Sequence, residues 1–288
     1  MDPVLIQLLI NGIALGSIIA LASIGLTLTY GILRLPNFAH GDFLTLGAYM
    51  TFLVRLSGLN IWISAIIGAA FTILFALIVE ALVWKPMRDR RATSTTLIII
   101  SIGLALFLRN GIILLWGGAN QDYGLSVPTP IVLGDTRIKF YSVVVFGLAI
   151  AAIAGLHILL KYTKIGKAMR AVADNVDLAR ISGINVEQIV LWTWIIAAGL
   201  TALGGGMYGL ITAVRPNMGW FLVIPMFASV ILGGIGNPYG AIAGAFIIGI
   251  TQEVSTYWFP SEYKIAVALL LMVGVLFFKP QGLFRGTM

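Results

Sequence analysis

The sequence contains no cysteine and only two histidines, and charged residues make up 10% of its 288 positions. Without cysteine the chain forms no disulfide and offers no thiolate to a metal, and two histidines provide no histidine cluster. Soluble globular domains usually carry about a quarter charged residues. The scarcity of charge, with 59% hydrophobic residues and a mean hydropathy of +1.01, therefore excludes an ordinary soluble domain.

The chain also lacks the sequence features of several enzyme and motor classes. It has no GxxxxGK[ST] phosphate loop, so we do not expect it to bind ATP in that way. No serine–histidine–carboxylate set, histidine pair or metal-ligand cluster falls on a plausible membrane-face loop. We therefore expect no enzymatic activity, no metal and no other cofactor in this chain.

Long apolar runs dominate what the chain does contain. About 20 apolar residues are needed to cross a hydrocarbon core. The runs with at most one charge are Ile61–Trp84, Thr95–Trp116, Phe140–Leu160, Ile189–Val214, Tyr239–Phe259 and the shorter Ile265–Phe278. The first 54 residues hold enough apolar sequence for two more crossings. The pattern predicts an all-α, polytopic integral membrane protein with about eight to ten membrane segments, forming one domain over residues 1–288.

The formal net charge of +7 is concentrated in short segments between and after the apolar runs. Basic residues cluster at 85–91 and 161–180, and Lys279 and Arg285 follow the last run. The positive-inside rule assigns these segments to the cytoplasm. Counting crossings then puts the C-terminus inside, and the N-terminus and the loop 117–139, with room for a small hairpin, outside. The charge thus indicates membrane topology and no nucleic-acid partner.

Polar and helix-breaking residues interrupt the apolar pattern between Gly31 and Tyr49. Pro36 and Asn37 break the pattern, and His40 and Asp42 add ionisable groups. Such groups at membrane depth cost on the order of 3 kcal/mol each and usually line a cavity or pathway. Many transporters build their substrate site from broken helices. This segment therefore predicts a transporter with broken or re-entrant helices.

A weak internal repeat accompanies this break. The segments 37–41 and 237–240 each begin with asparagine, follow an apolar segment that ends in glycine, and precede a helix with a Gly-Ala pair. Paired broken segments point to a transporter site at a repeat interface. The alternative is that Gly and Asn end two unrelated helices, and the sequence leaves open whether a repeat is parallel or inverted.

The basic loop 161–187 has the pattern of a short amphipathic helix. Gly166 is expected to open this helix and Gly183 to close it, about sixteen residues apart, with apolar residues at near-helical spacing. Such a helix docks into a groove on another protein or, alternatively, lies on lipid headgroups. Two aspartates disfavour the lipid alternative, because they repel anionic lipid. The polar residues of this helix are Arg170, Asp174, Asp177 and Arg180.

Four segments carry a family resemblance that spans nearly the whole chain. They are GLTLTYGILRLPNFAHGDFLTLGAYM, GKAMRAVADNVDLARISGIN, VILGGIGNPYGAIAGAFIIGITQEV and FKPQGLFRG. The chain resembles the LivH/LivM-type permeases of branched-chain amino acid ABC transporters, and its N-terminal signature is LivH-like. The resemblance implies a multi-pass subunit of a bacterial inner-membrane importer. A LivM-like permease, two ATP-binding subunits and a periplasmic binding protein are the implied partners, and ATP is used by those partners.

The implied substrates are branched-chain or other neutral amino acids, carried by alternating access. Urea and short amides, which more distant members of the family carry, are the alternative. An ion-coupled secondary transporter is a further alternative, although Asp42 and Glu253 are few carboxylates for an ion relay.

Two groups of residues are candidates for function. Asn37 and His40 are suited to hydrogen-bonding a zwitterion, or they cap the following helix, with Asp42 in its first turn. Arg109, inside an apolar run, needs a partner such as Asp42 or Glu253, either as a structural ion pair or as a receptor for the substrate carboxylate. The pathway candidates are Asn37, His40, Asp42, Tyr49, Arg109, Asn237 and Glu253. The ATPase-coupling candidates are Arg170, Asp174, Asp177, Arg180 and Gly183.

Overall fold

The computed structural model describes residues 2–125, 128–133 and 136–284, and these residues are mostly helical. The helices are α1 (Pro3–Leu33), α2 (His40–Leu56), α3 (Ile61–Val79), α4 (Lys85–Asp89), α5 (Ser94–Trp116), α6 (Phe140–Tyr162), α7 (Lys164–Asp174), α8 (Val176–Ile181), α9 (Val186–Ile211), α10 (Met218–Gly233), α11 (Pro238–Ser255) and α12 (Lys264–Phe278). A π-helical turn, Glu80–Trp84, joins α3 to α4, and a 3-10 turn, Ser261–Tyr263, precedes α12. Strands β1 (Ile131–Leu133) and β2 (Thr136–Ile138) form an antiparallel hairpin within the predicted loop 117–139.

Six helical segments of the described chain are long and apolar enough to cross a membrane, which confirms the all-α polytopic prediction. They are Pro3–Leu33, Ile61–Asp89, Ser94–Trp116, Phe140–Tyr162, Val186–Ile211 and Ser261–Phe278. Helices α2, α10 and α11, of 17, 16 and 18 residues, are shorter or less apolar; most residues of α2 and α10 and 8 of the 18 residues of α11 are buried. Counting these three helices with the six longer segments gives nine described segments, within the predicted eight to ten. The irregular backbone that adjoins such short helices is tolerated at membrane depth where other parts of the protein cover it.

Helix α1 is the centre of the fold, because it packs against α9, α10 and α11. Small residues permit this close packing. A Cβ atom on Gly12 would lie 2.7 Å from the Cα atom of Ile250 in α11. On the other side of the core, Gly47 in α2 lies against Ala202 in α9. The small-residue stripes of α9 and α11 are therefore contact surfaces between buried helices, as the small-xxx-small spacing indicates.

The two copies of the predicted repeat begin α2 and α11, but with different hydrogen bonds. Asn237 is the N-cap residue of α11, and its side chain accepts hydrogen bonds from the amides of Tyr239 and Gly240 at 3.0 and 3.1 Å. In the first copy, Asn37 accepts a hydrogen bond from the amide of Ala39 at 3.1 Å, one residue before α2. Asn37 therefore does not cap α2 itself, and the repeat stays a prediction.

The basic segments lie together at one end of the helices, which we call the basic end (Arg34, residues 85–91, 161–187 and Lys279). Lys85 pairs with Glu187 at 3.3 Å, which joins the two predicted basic loops. The opposite, hairpin end contains Asp2 and residues 57–60, 117–125, 128–133, 136–139 and 256–263. There the amide of Arg137 donates to Gln7 Oε1 at 3.0 Å and the Tyr257 hydroxyl donates to Asp2 at 2.7 Å.

The basic loop 161–187 forms two helices, so the prediction of one continuous helix was wrong. Helix α7 begins at Lys164 rather than at Gly166, because the Thr163 side chain caps it and accepts from the Gly166 amide at 3.0 Å. Asn175 then adopts an extended backbone and accepts from the Leu178 amide at 2.9 Å, which starts α8. Gly183 follows the end of α8 with a φ of +83°, the left-handed conformation expected of a helix-ending glycine.

Candidate functional site

The predicted break between α1 and α2 is present. Helix α1 ends at Arg34, whose φ of +52° is left-handed and whose amide donates to the Tyr30 carbonyl at 2.8 Å. Residues 34–39 then connect the two helices, and α2 begins at His40 with Asp42 in its first turn. The break therefore places His40 and Asp42 inside the helix assembly, where both are buried.

His40 connects three helices at this break. Its Nε2 atom lies 2.9 Å from the Ala22 carbonyl of α1 and 2.8 Å from the Thr201 hydroxyl of α9. Because the Ala22 carbonyl can only accept, Nε2 is the donor to it, and the Thr201 hydroxyl, which donates to the Ala197 carbonyl at 2.7 Å, is placed to accept from the same Nε2–H. Nδ1 has no hydrogen-bond partner among the described residues. The observed contacts of His40 thus hold α2 against α1 and α9.

Gly25 lies directly beside the His40 ring. Adding a side chain at Gly25 is therefore expected to destabilise the packing of α1 against α2 and α9 at the break. A Cβ atom on Gly25 would lie 2.7 Å from the Ala197 carbonyl oxygen and 2.9 Å from His40 Cε1. Overpacking of this kind costs about 1–3 kcal/mol, so Gly25→Ala should lower the melting temperature in detergent. Gly103→Ala is the matched control, because Gly103 has open space around it and its replacement should not destabilise α5. Equal melting temperatures for the two variants would contradict the tight packing.

Asp42 and Arg109 form a buried ion pair between α2 and α5. Arg109 Nε lies 3.3 Å from Asp42 Oδ1, and Nη2 lies 3.4 Å from Oδ2. The side chains are 1% and 13% exposed, and the guanidinium lies 4.3 Å from the ring centre of Trp220 in α10. Of the two partners expected for Arg109, the structure selects Asp42. This geometry favours the structural alternative, because both carboxylate oxygens already bind the guanidinium.

The remaining pathway candidates do not join this cluster. The Nδ2 atom of Asn37 and the hydroxyl of Tyr49 are buried without a hydrogen-bond partner among the described residues, and the Tyr49 ring lies 5.4 Å from that of Trp116. Asn237 caps α11 at the other helix junction. A buried unpaired polar group costs about 1–3 kcal/mol, so Asn37 and Tyr49, like His40 at Nδ1, have unused hydrogen-bonding capacity. Their pathway role stays a prediction.

Glu253 lies near the hairpin end, where it pairs with Lys264 at 3.1 Å. Both residues line a cavity of about 250 Å³, together with Gln252 and Tyr208. Sequence reasoning singled out Glu253, but it missed Lys264. The available signal was a single lysine at the start of the last apolar run, eleven residues after Glu253.

A second carboxylate cluster at the basic end was also missed. Glu80 is buried in the π-helical turn, forms an ion pair with Arg88 and accepts from Trp194 Nε1 at 2.7 Å. A lone carboxylate at the end of an apolar run, followed by an arginine eight residues later, was the sequence signal. This cluster fixes the end of α3 to α9, beside the basic loop that follows α6.

The coupling candidates lie on the surface of α7 and α8. Gly166, Met169 and Val172 face inward, whereas the side chains of Leu178 and Ile181 are 58% and 82% exposed. We call the exposed face of α7 and α8 the loop surface. Its charged members are Arg170, Asp174, Asp177 and Arg180, and Gly183 follows them. A surface that combines opposite charges with exposed aliphatic groups is suited to contact another protein.

Comparisons with known proteins relate the sequence to one family of transport proteins. A family profile described as "Branched-chain amino acid transport system / permease component" matches residues 8–276. The chain is 29% identical to the high-affinity branched-chain amino acid transport system permease protein BraD of Pseudomonas aeruginosa, covering 96% of this chain and 95% of that protein. It is 29% identical to the high-affinity permease protein LivH of Escherichia coli K12, covering 96% and 94%. The identity to the probable permease protein LivH of Methanocaldococcus jannaschii is 30%, covering 96% and 91%.

Proposed function

We propose that this chain, which belongs to the family of permease components of branched-chain amino acid transport systems, is a membrane-spanning subunit of an ABC importer for branched-chain or other neutral amino acids. The main support for the proposal is the match of the family profile to residues 8–276. The relatives named above are permease proteins of branched-chain amino acid transport systems, and this chain is similar to them over nearly their whole length. The chain is therefore a transport subunit rather than an enzyme.

The interior of the fold supports this substrate class. The buried core around α1, α2 and α9 is mostly apolar and contains a few hydrogen-bonding groups, such as Asn37 and Tyr49. A neutral amino acid has an apolar side chain and two opposite charges, so it needs few polar contacts along a largely apolar path. Urea or a short amide would require a narrower and more uniformly polar passage.

The energy for transport is expected to come from ATP hydrolysis by partner subunits. In the described part of the chain, the buried carboxylates Asp42 and Glu80 are held in ion pairs with Arg109 and Arg88, which leaves them poorly suited to an ion relay. We infer that the assembly contains two ATP-binding subunits and that one of them docks on the loop surface of α7 and α8. A LivM-like permease and a periplasmic substrate-binding protein complete the assembly.

The orientation follows from the distribution of charge. The basic end is assigned to the cytoplasm by the positive-inside rule, which places the C-terminus inside. The hairpin end, with the N-terminus and the hairpin of β1 and β2, then faces the periplasm. The protein is a multi-pass component of the inner (cytoplasmic) membrane in this proposal.

Uptake into proteoliposomes that contain the complete assembly tests the proposal. Labelled leucine is expected to accumulate only when ATP and the binding protein are supplied, and unlabelled alanine should compete, whereas urea and lysine should not. Uptake by this chain alone, driven by an ion gradient without ATP, would show a secondary transporter instead. Strong competition by urea with none by alanine would show a permease for small amides.

A further inference from the structure

The cavity beside Glu253 is a candidate binding site that the substrate pathway of the preceding subsections does not explain. It has a volume of about 250 Å³ and lies at the hairpin end, among α1, α6, α9, α10, α11 and α12. Its polar lining includes Asn11, Tyr208, Gln252, Glu253 and Lys264, with Lys139 at the exposed rim. Pockets for drug-sized ligands are typically about 300–1,000 Å³, so this cavity fits a smaller molecule.

Gln252 gives this cavity an unused hydrogen-bond donor. The residue is 2% exposed, and its Nε2 atom has no hydrogen-bond partner among the described residues. A buried amide left without its hydrogen bonds carries an uncompensated desolvation cost. A ligand in the cavity with an acceptor oxygen would recover this energy.

The ion pair beside Gln252 determines which ligand charge fits. The side chains of Glu253 and Lys264 are 19% and 38% exposed. Solvent that reaches the two side chains screens their attraction, so this pair opens more easily than a fully buried one. A ligand with a single charge would leave one member of the opened pair without a partner. A zwitterion supplies an ammonium group to Glu253 and a carboxylate to Lys264 at the same time.

The rest of the cavity suits an aliphatic side chain. Its walls include Ala14, Leu15, Leu222 and Ile265. The charged lining carries one carboxylate, Glu253, and two lysines, Lys139 and Lys264, which favours a ligand that carries a carboxylate.

We propose that this cavity is an outer binding site for a zwitterionic neutral amino acid, which it holds between Glu253, Lys264 and Gln252 at the hairpin end. The site deepens the proposed function and rests on it, because that function supplies both the substrate class and the outward orientation. In this site the ammonium binds Glu253, while the carboxylate accepts from Lys264 and from the Gln252 amide.

Direct binding of labelled leucine to the full chain in detergent tests the site. The wild-type chain is expected to bind leucine saturably, with competition by alanine. Gln252→Leu and Glu253→Gln should each weaken binding about tenfold or more, because each loses a hydrogen bond that involves a charged group. Glu187→Gln is the matched control, since it removes a carboxylate from the Lys85–Glu187 pair at the opposite end and should leave binding unchanged.

A charge-exchanged variant separates binding from a structural role of the pair. Glu253→Lys combined with Lys264→Glu restores an ion pair and should restore the melting temperature, but not leucine binding, because Gln252 remains beside the wrong charge. Recovery of wild-type binding in this variant would overturn the proposal. Competition by glycerophosphoethanolamine without competition by alanine would assign the cavity to a lipid headgroup and would also overturn it.

Transport assays keep this inference distinct from the proposed function. In the complete assembly, Gln252→Leu should raise the KM for leucine while ATP still drives uptake. If the variant keeps both the wild-type KM and wild-type leucine binding, the outer site is wrong and the transport proposal stands. If the wild-type assembly carries no neutral amino acid, both proposals are wrong.

Discussion

Reversing the charges of Arg170 and Arg180 is expected to reduce ATP-driven uptake more than tenfold while the membrane helices stay folded, since like charges across an interface cost several kcal/mol. Both side chains are exposed, one on α7 and one on α8. The inward face of α7, with Met169 and Val172, is untouched by the substitutions. The measurements are leucine uptake and substrate-stimulated ATP hydrolysis in the reconstituted assembly, with the elution profile of the purified chain as the fold control.

Arg90→Glu is the control for this loss of coupling. Arg90 is also exposed at the basic end but follows α4, outside the loop surface. If Arg90→Glu reduces uptake as strongly as the double reversal, a general loss of positive charge explains the effect. Normal uptake and hydrolysis in the Arg170/Arg180 variant would instead mean that α7 and α8 lie on lipid headgroups. That alternative predicts an effect that depends on the anionic lipid content of the membrane.

The fold was largely predictable because a membrane imposes simple rules on sequence. A helix satisfies its own backbone hydrogen bonds in lipid, so long apolar runs such as Thr95–Trp116 appear almost unchanged as helices. The break before His40 was also predictable, since proline and asparagine interrupt an apolar pattern. A hairpin in the loop 117–139 was expected from its length and composition.

The sequence did not predict features that depend on contacts between distant segments. Helix α3 was expected to end near Trp84, but a π-helical turn continues it into α4. Glu80 lies in this turn and binds Trp194, which is 114 positions away in the chain. The division of α7 from α8 at Asn175 was missed for a different reason, since it depends on a local side-chain hydrogen bond that competes with the helix.

The candidate site was predicted in its chemistry but only partly in its geometry. An arginine inside an apolar run requires a counter-charge, so Asp42 was a predictable partner for Arg109. The ring of Trp220 beside the guanidinium was not predictable, because no local pattern relates α5 to α10. Likewise, the pairing of Glu253 with Lys264 depends on how α11 packs against α12.

The second large effect is expected at the buried pair of Asp42 and Arg109. Removing one member leaves the other charge buried without its partner, which costs about 3–5 kcal/mol. Asp42→Asn and Arg109→Met should therefore each lower the melting temperature in detergent strongly. The double variant should be more stable than the sum of the two losses predicts, because no unpaired charge remains in the core.

The exposed pair of Lys85 and Glu187 provides the matched comparison, with side chains 47% and 76% exposed. Glu187→Gln should cost about 0–1 kcal/mol of folding stability, as the loss of a surface pair usually does.

Arg109→Met also distinguishes the two roles considered for the arginine. If the variant folds as stably as wild type but its KM for leucine rises, Arg109 receives the substrate carboxylate and the structural interpretation is wrong. If stability falls and the double variant regains both stability and uptake, the pair serves to hold α5 against α2.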